Sequence, residues 1–255
     1  MQVNLVPTVD LRDLIAPDLA GAPLITPLDF LKEFSSAELP VLAPHEQLVL
    51  AALARDVSPA VVVEFGTGQG FSGYIWAANT ADTTRVVSVD LAPNLRGNYT
   101  SKILRDDNDV GRAYRAAPGA KKIEQVLLRS DEALPKSLEL LKGTVDIVFV
   151  DGDHSYDGVL RDSRIGCVLA RPDATFIWHD FYRFPAYLAE GKKRRGVYPF
   201  LNEVAANGHL DLYHVAGTYL VVGRRSWSVD EVDDPIQPAE AAGEMRERII
   251  RMGEF

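Results

Sequence analysis

Short apolar runs alternate with stretches of helical periodicity along most of the chain. Val61–Phe65 (VVVEF) is nearly all apolar and stops at Gly66, the pattern of a strand buried on both faces, as in a parallel sheet. Arg85–Asp90 (RVVSVD), Ile123–Arg129 (IEQVLLR), Val145–Val150 (VDIVFV) and Ala174–Trp178 (ATFIW) repeat it. Between them, Pro44 opens HEQLVLAALARDV with a helix start signal. Phe71–Asn79, Glu132–Leu141, Tyr156–Ala170 and Val197–Ala206 also read as helices, the third with Val159, Cys167, Val168 and Leu169 toward the core. Leu210–Val215 and Thr218–Gly223 flank Ala216–Gly217 and read as a hairpin. Strands and helices in alternation predict an α/β fold.

The ends and one internal segment depart from this rhythm. Residues 1–43 are rich in proline and read as an irregular N-terminal extension, with one helix predicted at Pro27–Ser35. Residues 44–224 form the expected domain, and residues 225–255 a tail. Asp230–Asp234 reads as a linker, and the helix Ala239–Arg251 carries Met245, Ile249 and Ile250 on one side, suited to docking on the body or on a second copy in a homodimer. Residues 92–122, polar and of mixed charge, are long for a link between strands and read as an active-site lid.

Composition narrows the class. A length of 255 residues suffices for one α/β domain, and a net charge of −9 argues against broad nucleic-acid binding, which needs basic surface. The one cysteine, Cys167, excludes an intrachain disulfide and reads as core packing. No stretch approaches the roughly 18 apolar residues of a membrane span. With no secretion-type start, the expectation is a cytoplasmic protein without a membrane partner.

The chemistry starts after the first central strand, where Gly66, Gly68 and Gly70 form a turn into the helix that starts at Phe71. A helix N-terminus attracts electron-rich ligand atoms, and glycines let a backbone approach a ligand closely. The spacing is not that of a dinucleotide fingerprint, since Phe71 stands where its third glycine belongs. Asp90, at the tip of the next strand and about twenty residues past the turn, suits a pair of ribose hydroxyls. Glu64, Asp90, Asp131, Asp151 and His179–Asp180 all follow or end strands, so one rim of the sheet should collect them.

Glu64-x-Gly66-x-Gly68-x-Gly70 resembles motif I of the class I S-adenosylmethionine-dependent methyltransferases. The resemblance implies a Rossmann-like, seven-stranded, mostly parallel sheet with an antiparallel C-terminal hairpin and helices on both faces. It also implies S-adenosyl-L-methionine as cofactor, held by Glu64, Gly66, Thr67, Gly68, Gly70, Ser72, Asp90, Ser130, Asp131 and Asp151. Asp131 would accept the adenine amino group, cap the following helix, or do both.

FVDGDHSYDG and IWHDF are similar to segments of the metal-dependent O-methyltransferases, both the catechol type and the macrocin/aminocoumarin sugar type. That resemblance implies a metal held by Asp151, His179 and Asp180, with His179 and Asp180 lying 28 and 29 residues after Asp151. The resemblance makes Mg2+ or Mn2+ the expectation, but the family usually has an acid at His179, and imidazole suits manganese, iron or zinc better than magnesium, so the metal's identity stays open. His154 is the first choice of general base, Asp153 the sugar-enzyme counterpart, and His179 the base if no metal binds. His45, His209 and His214 read as structural, and the KKRR run at 192–195 as solvated surface. DGDHSYDG and the polar lid lean toward a sugar or oligosaccharide hydroxyl (an antibiotic sugar or a mannoside). A catechol or phenol enzyme and a silent, cofactor-binding relative are the rivals. Phe71 and the closing hairpin disfavour a nicotinamide enzyme.

Overall fold

A computed structural model describes residues 5–16, 24–27, 42–92, 110–128, 136–182, 196–207 and 210–225. In chain order the elements are β1 (Thr8–Val9), α1 (Pro44–Val57), β2 (Val61–Phe65), α2 (Phe71–Asn79), β3 (Arg85–Leu91), β4 (Ile123–Leu128), β5 (Val145–Val150), α3 (Tyr156–Leu169), β6 (Ala170–Trp178), α4 (Val197–Asn207), β7 (Leu210–Val215) and β8 (Val221–Arg225), with short 3-10 turns between some of them. The strands form one sheet in the order β1-β7-β8-β6-β5-β2-β3-β4. β4, β3, β2, β5 and β6 run parallel, and β8 pairs antiparallel with both β6 and β7.

Side chains alternate across the central strands, so each face builds its own core. Val62, Val86, Ile147, Phe149 and Ile177 face α1 and α2, where Leu50, Leu53, Ile75 and Trp76 meet them. Val63, Val87, Val148, Phe176 and Trp178 face α3 and α4, against Leu169, Phe200 and Leu201. All these residues are nearly or wholly buried, and each such aliphatic side chain contributes about 1.5–3 kcal/mol by leaving water.

The strand tips are tied together by a staircase of main-chain hydrogen bonds. Gly66 N–H donates to Val89 O (2.8 Å), Asp151 N–H to Phe65 O (2.8 Å) and His179 N–H to Val150 O (3.2 Å). Each residue just beyond a strand thus hangs on the last residues of its neighbour. That ladder fixes the chemistry-bearing residues along one rim.

Several expectations are corrected. The sheet has eight strands, because Thr8 and Val9 pair parallel with His214 and Val215 and give the N-terminal segment a place at the edge. The fifth central strand starts earlier, at Ala170, and absorbs a register shift against β5 between Val145 and Ile147. The hairpin's second strand begins at Val221, since the main chain of Val215 and Leu220 closes a longer turn. Val168 is half exposed near the end of α3, while Val159, Cys167 and Leu169 are buried as expected. In place of an α-helix, Lys136–Leu141 is 3-10.

Residues 110–122 of the expected lid pack down: Val110, Ala113 and Tyr114 are buried, and Gly111 and Ala113 donate main-chain bonds to Gly68 and Gln69. The rest of that segment (93–109), the Pro27–Ser35 helix apart from its first residue, Ser130, Asp131, the KKRR run, His209 and the tail lie outside the described residues. Among the described residues, no helix is long and apolar enough to cross a membrane.

Candidate active site

The glycine turn divides its labour. Gly66 has φ +98°, and a Cβ there would stand 2.1 Å from Asp151 O, so this glycine lets β2 and β5 close up at their tips. Gly70 (φ +89°) is pressed in the same way against Gly111 and Tyr114. Only Gly68 (φ +50°) borders open space, and its N–H donates to Asp90 Oδ2 at 2.8 Å. The second Asp90 oxygen accepts from Leu91 N–H (2.7 Å), which sets the carboxylate plane beside the open glycine. Of the three glycines predicted to make room for a ligand, two make room for protein.

Glu64 lies beneath this turn, completely buried. Trp76 Nε1–H donates to it at 3.0 Å and Ser88 Oγ–H at 2.5 Å, and Ser72 also bonds to it. Burial raises its carboxyl to about 7 against the pull of those donors. Thr67 is turned inward as well, with its Oγ1 2.7 Å from Ser88 Oγ and accepting from Gln125 Nε2 at 3.0 Å. Tyr114 OH donates to Gln125 Oε1. Glu64, Thr67 and Ser72 therefore brace the turn from below, and Asp90 and Gly68 border its open side.

Beyond β5 and β6 the acids and imidazoles do converge. His154 lies between two carboxylates, with Nε2 3.3 Å from Asp151 Oδ1 and Nδ1 2.6 Å from Asp180 Oδ2. His179 lies between that same Asp151 and Glu46, with Nδ1 3.2 Å from Asp151 Oδ1 and Nε2 3.2 Å from Glu46 Oε2. Its Nδ1 is also 3.5 Å from Asp180 Oδ1. Asp180 has φ +65°, one of two non-glycine residues with positive φ among those described, and such strain clusters at functional sites. Asp153 stands apart: it is exposed, and its Oδ1 accepts from Ser155 N–H (3.0 Å) at the entry to α3.

The electrostatics follow from the pairings. Burial disfavours a charged His154, but its bonds to Asp151 and Asp180 prevail and raise it to about 10. His179 is likewise raised against burial, by the Asp151 charge and by its bonds to Asp151 and Glu46. Against their own burial, Asp151 is held well below the usual carboxylate range by His179 and His154, and Asp180 is lowered mainly by His154. With both carboxylates free to bind it, His154 is an imidazolium at neutral pH and cannot accept a proton.

Asp151, His154 and Asp180 offer ligand atoms that all lie within 4.8 Å of one another. Two carboxylates and an imidazole are donors of the kind that a divalent cation takes. The grouping keeps Asp151 and Asp180 from the sequence-based set and has His154 where that set has His179, whose Nε2 faces Glu46 instead of a second aspartate. Glu46 was not foreseen: three residues into a helix it reads as a capping residue, and its local sequence carries no sign of a partner just past β6. His214 is structural, near Thr8 Oγ1 (3.1 Å) and Thr218 O (2.7 Å), and His45 is exposed.

Residues 63–181 match the family described as "Methyltransferase domain". Among solved structures, the chain is similar to the O-methyltransferase from Bacillus cereus in complex with SAH (18% identity, 84% of this chain and 96% of that one, TM-score 0.53). It is also similar to the O-methyltransferase TomG from Streptomyces achromogenes, involved in tomaymycin synthesis and in complex with SAM (20% identity, 77% and 86%, TM-score 0.55). A third is the SAH-bound methyltransferase PaMTH1 of Podospora anserina (16% identity, 81% and 90%, TM-score 0.53). No curated protein matches the sequence.

Proposed function

We propose that this chain is an S-adenosylmethionine-dependent methyltransferase, a reading supported by its matched domain and its fold, and that it methylates a hydroxyl of a sugar or oligosaccharide with the help of a divalent cation. The observation that carries the reading is the Asp151–His154–Asp180 cluster on the same rim as the open side of Gly68 and Asp90. Sugar as acceptor is supported by the DGDHSYDG segment, similar to that of the macrocin/aminocoumarin enzymes. A net charge of −9 favours a small acceptor over nucleic acid.

In this class of reaction the acceptor oxygen attacks a sulfonium methyl group and must lose its proton, which is costly for an aliphatic hydroxyl near neutral pH. S-adenosylmethionine supplies the methyl group, and a cation such as Mg2+ or Mn2+ held by Asp151, His154 and Asp180 would supply Lewis acidity toward the hydroxyl. Asp90 and the Gly68 main chain orient the donor's ribose end. Asp151 and Asp180, braced by neighbouring strand tips, fix the acceptor's place, and fixed placement alone can lower a barrier by about 7–11 kcal/mol in favourable cases. His154 can hold the departing proton only if it is not itself a ligand of the cation and Asp151 and Asp180 are engaged elsewhere, since their pull is what keeps it charged.

A catechol or phenol acceptor is the second reading, favoured by the ring pair Tyr182–Tyr219, whose centroids are 4.9 Å apart next to Asp180. The test follows S-adenosylhomocysteine release with sugar, oligosaccharide and catechol acceptors, with and without EDTA. Chelator-sensitive turnover of sugars supports the proposal and turnover of catechols alone favours the second reading. Cofactor binding without turnover across the panel would leave a silent binding protein.

A further inference from the structure

We propose that Glu46 is a positioning residue for this site, acting through His179 on Asp151; the inference rests on reading the rim as the place of methyl transfer. Glu46 belongs to the first turn of α1, far from the rim in sequence, and is only 2% exposed. Its carboxylate is engaged from three sides. Ala43 N–H donates to Oε2 at 2.9 Å, Tyr219 N–H donates to Oε1 at 2.7 Å, and His179 Nε2 lies 3.2 Å from Oε2.

A helix cap needs only the first of these bonds. The second pins the other oxygen to the loop before β8, so the carboxylate cannot turn away from His179. His179 is in turn anchored by its main-chain bond to Val150 O, and the far side of its ring is 3.2 Å from Asp151 Oδ1. The imidazole is thus a strut of fixed length, seated on Glu46 and ending on the carboxylate that also faces His154 at 3.3 Å. Without the seat the ring is free to rotate, and Asp151 loses a partner that sets its plane. Outer partners of this kind orient the ligands of metal sites and are worth about 10- to 100-fold in affinity or rate.

The variants Glu46→Ala, Glu46→Gln and His179→Ala separate positioning from capping. A glutamine can keep Oε1 on Tyr219 N–H and donate from its amide to His179 Nε2, leaving Nδ1–H for Asp151. It gives up only the Ala43 cap.

Each purified chain is measured for Mn2+ affinity by electron paramagnetic resonance, for kcat and KM toward S-adenosylmethionine, and for Tm. Glu46→Ala is expected to lose roughly tenfold or more in Mn2+ affinity and in kcat with KM for S-adenosylmethionine little changed. Glu46→Gln should stay within about threefold of the native chain at a lowered Tm, and Glu46→Ala added to His179→Ala should cost nothing further in kcat. The proposal is overturned if Glu46→Ala lowers Tm alone, if Glu46→Gln loses as much kcat as Glu46→Ala, or if the two losses add. Should Glu46→Ala fail to fold, Glu46→Gln against His179→Ala decides the matter. A native chain that binds no Mn2+ would refute the metal of the proposed function, and kcat against KM would still decide the part played by Glu46.

Discussion

Gly66 is packed directly on the main chain of Asp151: a Cβ placed on the glycine would stand 2.1 Å from Asp151 O, 2.4 Å from its carbonyl carbon and 2.7 Å from the Gly152 Cα. All three atoms are backbone, so nothing there can swing aside. The glycine turn and the acidic cluster are one construction, and a change in the first is felt in the second.

Gly66→Ala is therefore expected to destabilise the chain by more than the 1–2 kcal/mol that a left-handed alanine costs by itself, because strand separation is added to the strain. Gly68→Ala meets nothing within 4 Å and should cost only that conformational part. Urea denaturation of both variants checks the order, and equal losses would show that β2 and β5 part without penalty.

Asp90→Ala removes the acceptor of Gly68 N–H together with the carboxylate proposed for the ribose. S-adenosylhomocysteine affinity, measured by calorimetry, should fall at least tenfold, since a hydrogen bond to a charged group is worth about 1.5–3 kcal/mol. Unchanged affinity would remove Asp90 from the cofactor site.

Glu64 makes stability depend on pH. Its folded-state value of about 7 lies above the ordinary glutamate value, so the folded chain keeps a proton that the unfolded chain releases. The resulting stabilisation is complete below about pH 4 and is lost as the pH rises toward 7, up to an upper bound of about 3 kcal/mol. Glu64→Gln, neutral throughout, should flatten that part of the profile. Parallel pH profiles from chemical denaturation of the two chains would contradict it.

EDTA is expected to suppress turnover and Mn2+ to restore it, with cofactor affinity little altered. His154→Ala should lower kcat by about 10² or more, as loss of a general base or of a metal ligand would. Mn2+ binding to the variant, followed by electron paramagnetic resonance, tells those roles apart. Full activity after exhaustive chelation would dismiss the ion.

Much of this site is legible in the sequence because strand order translates position into place. A residue just past a parallel strand must emerge at the carboxyl rim, and Asp90, Asp151, His179 and Asp180 did so. Pairing within the rim is not legible. Whether His154 or His179 bridges the two aspartates depends on which imidazole turns a nitrogen to a third carboxylate. His179 is taken by Glu46, a contact across 133 residues that no local pattern encodes. The direction of Thr67 and Ser72 was hidden for a similar reason: Glu64, buried and needing donors, draws in Ser72 directly and Ser88, on which Thr67 rests. Val168 was misread because an apolar residue near a helix end can sit at the solvent edge of its stripe.

The eighth strand has a bearing on how the chain acquires its shape. Thr8 and Val9 pair with a partner strand that follows some two hundred positions later and joins the sheet through β8. Thr8 and Val9 therefore wait for some two hundred further residues before their hydrogen bonds can form, a long-range closure of the kind that slows folding. The opening segment acts as a clasp that fastens after the garment is on.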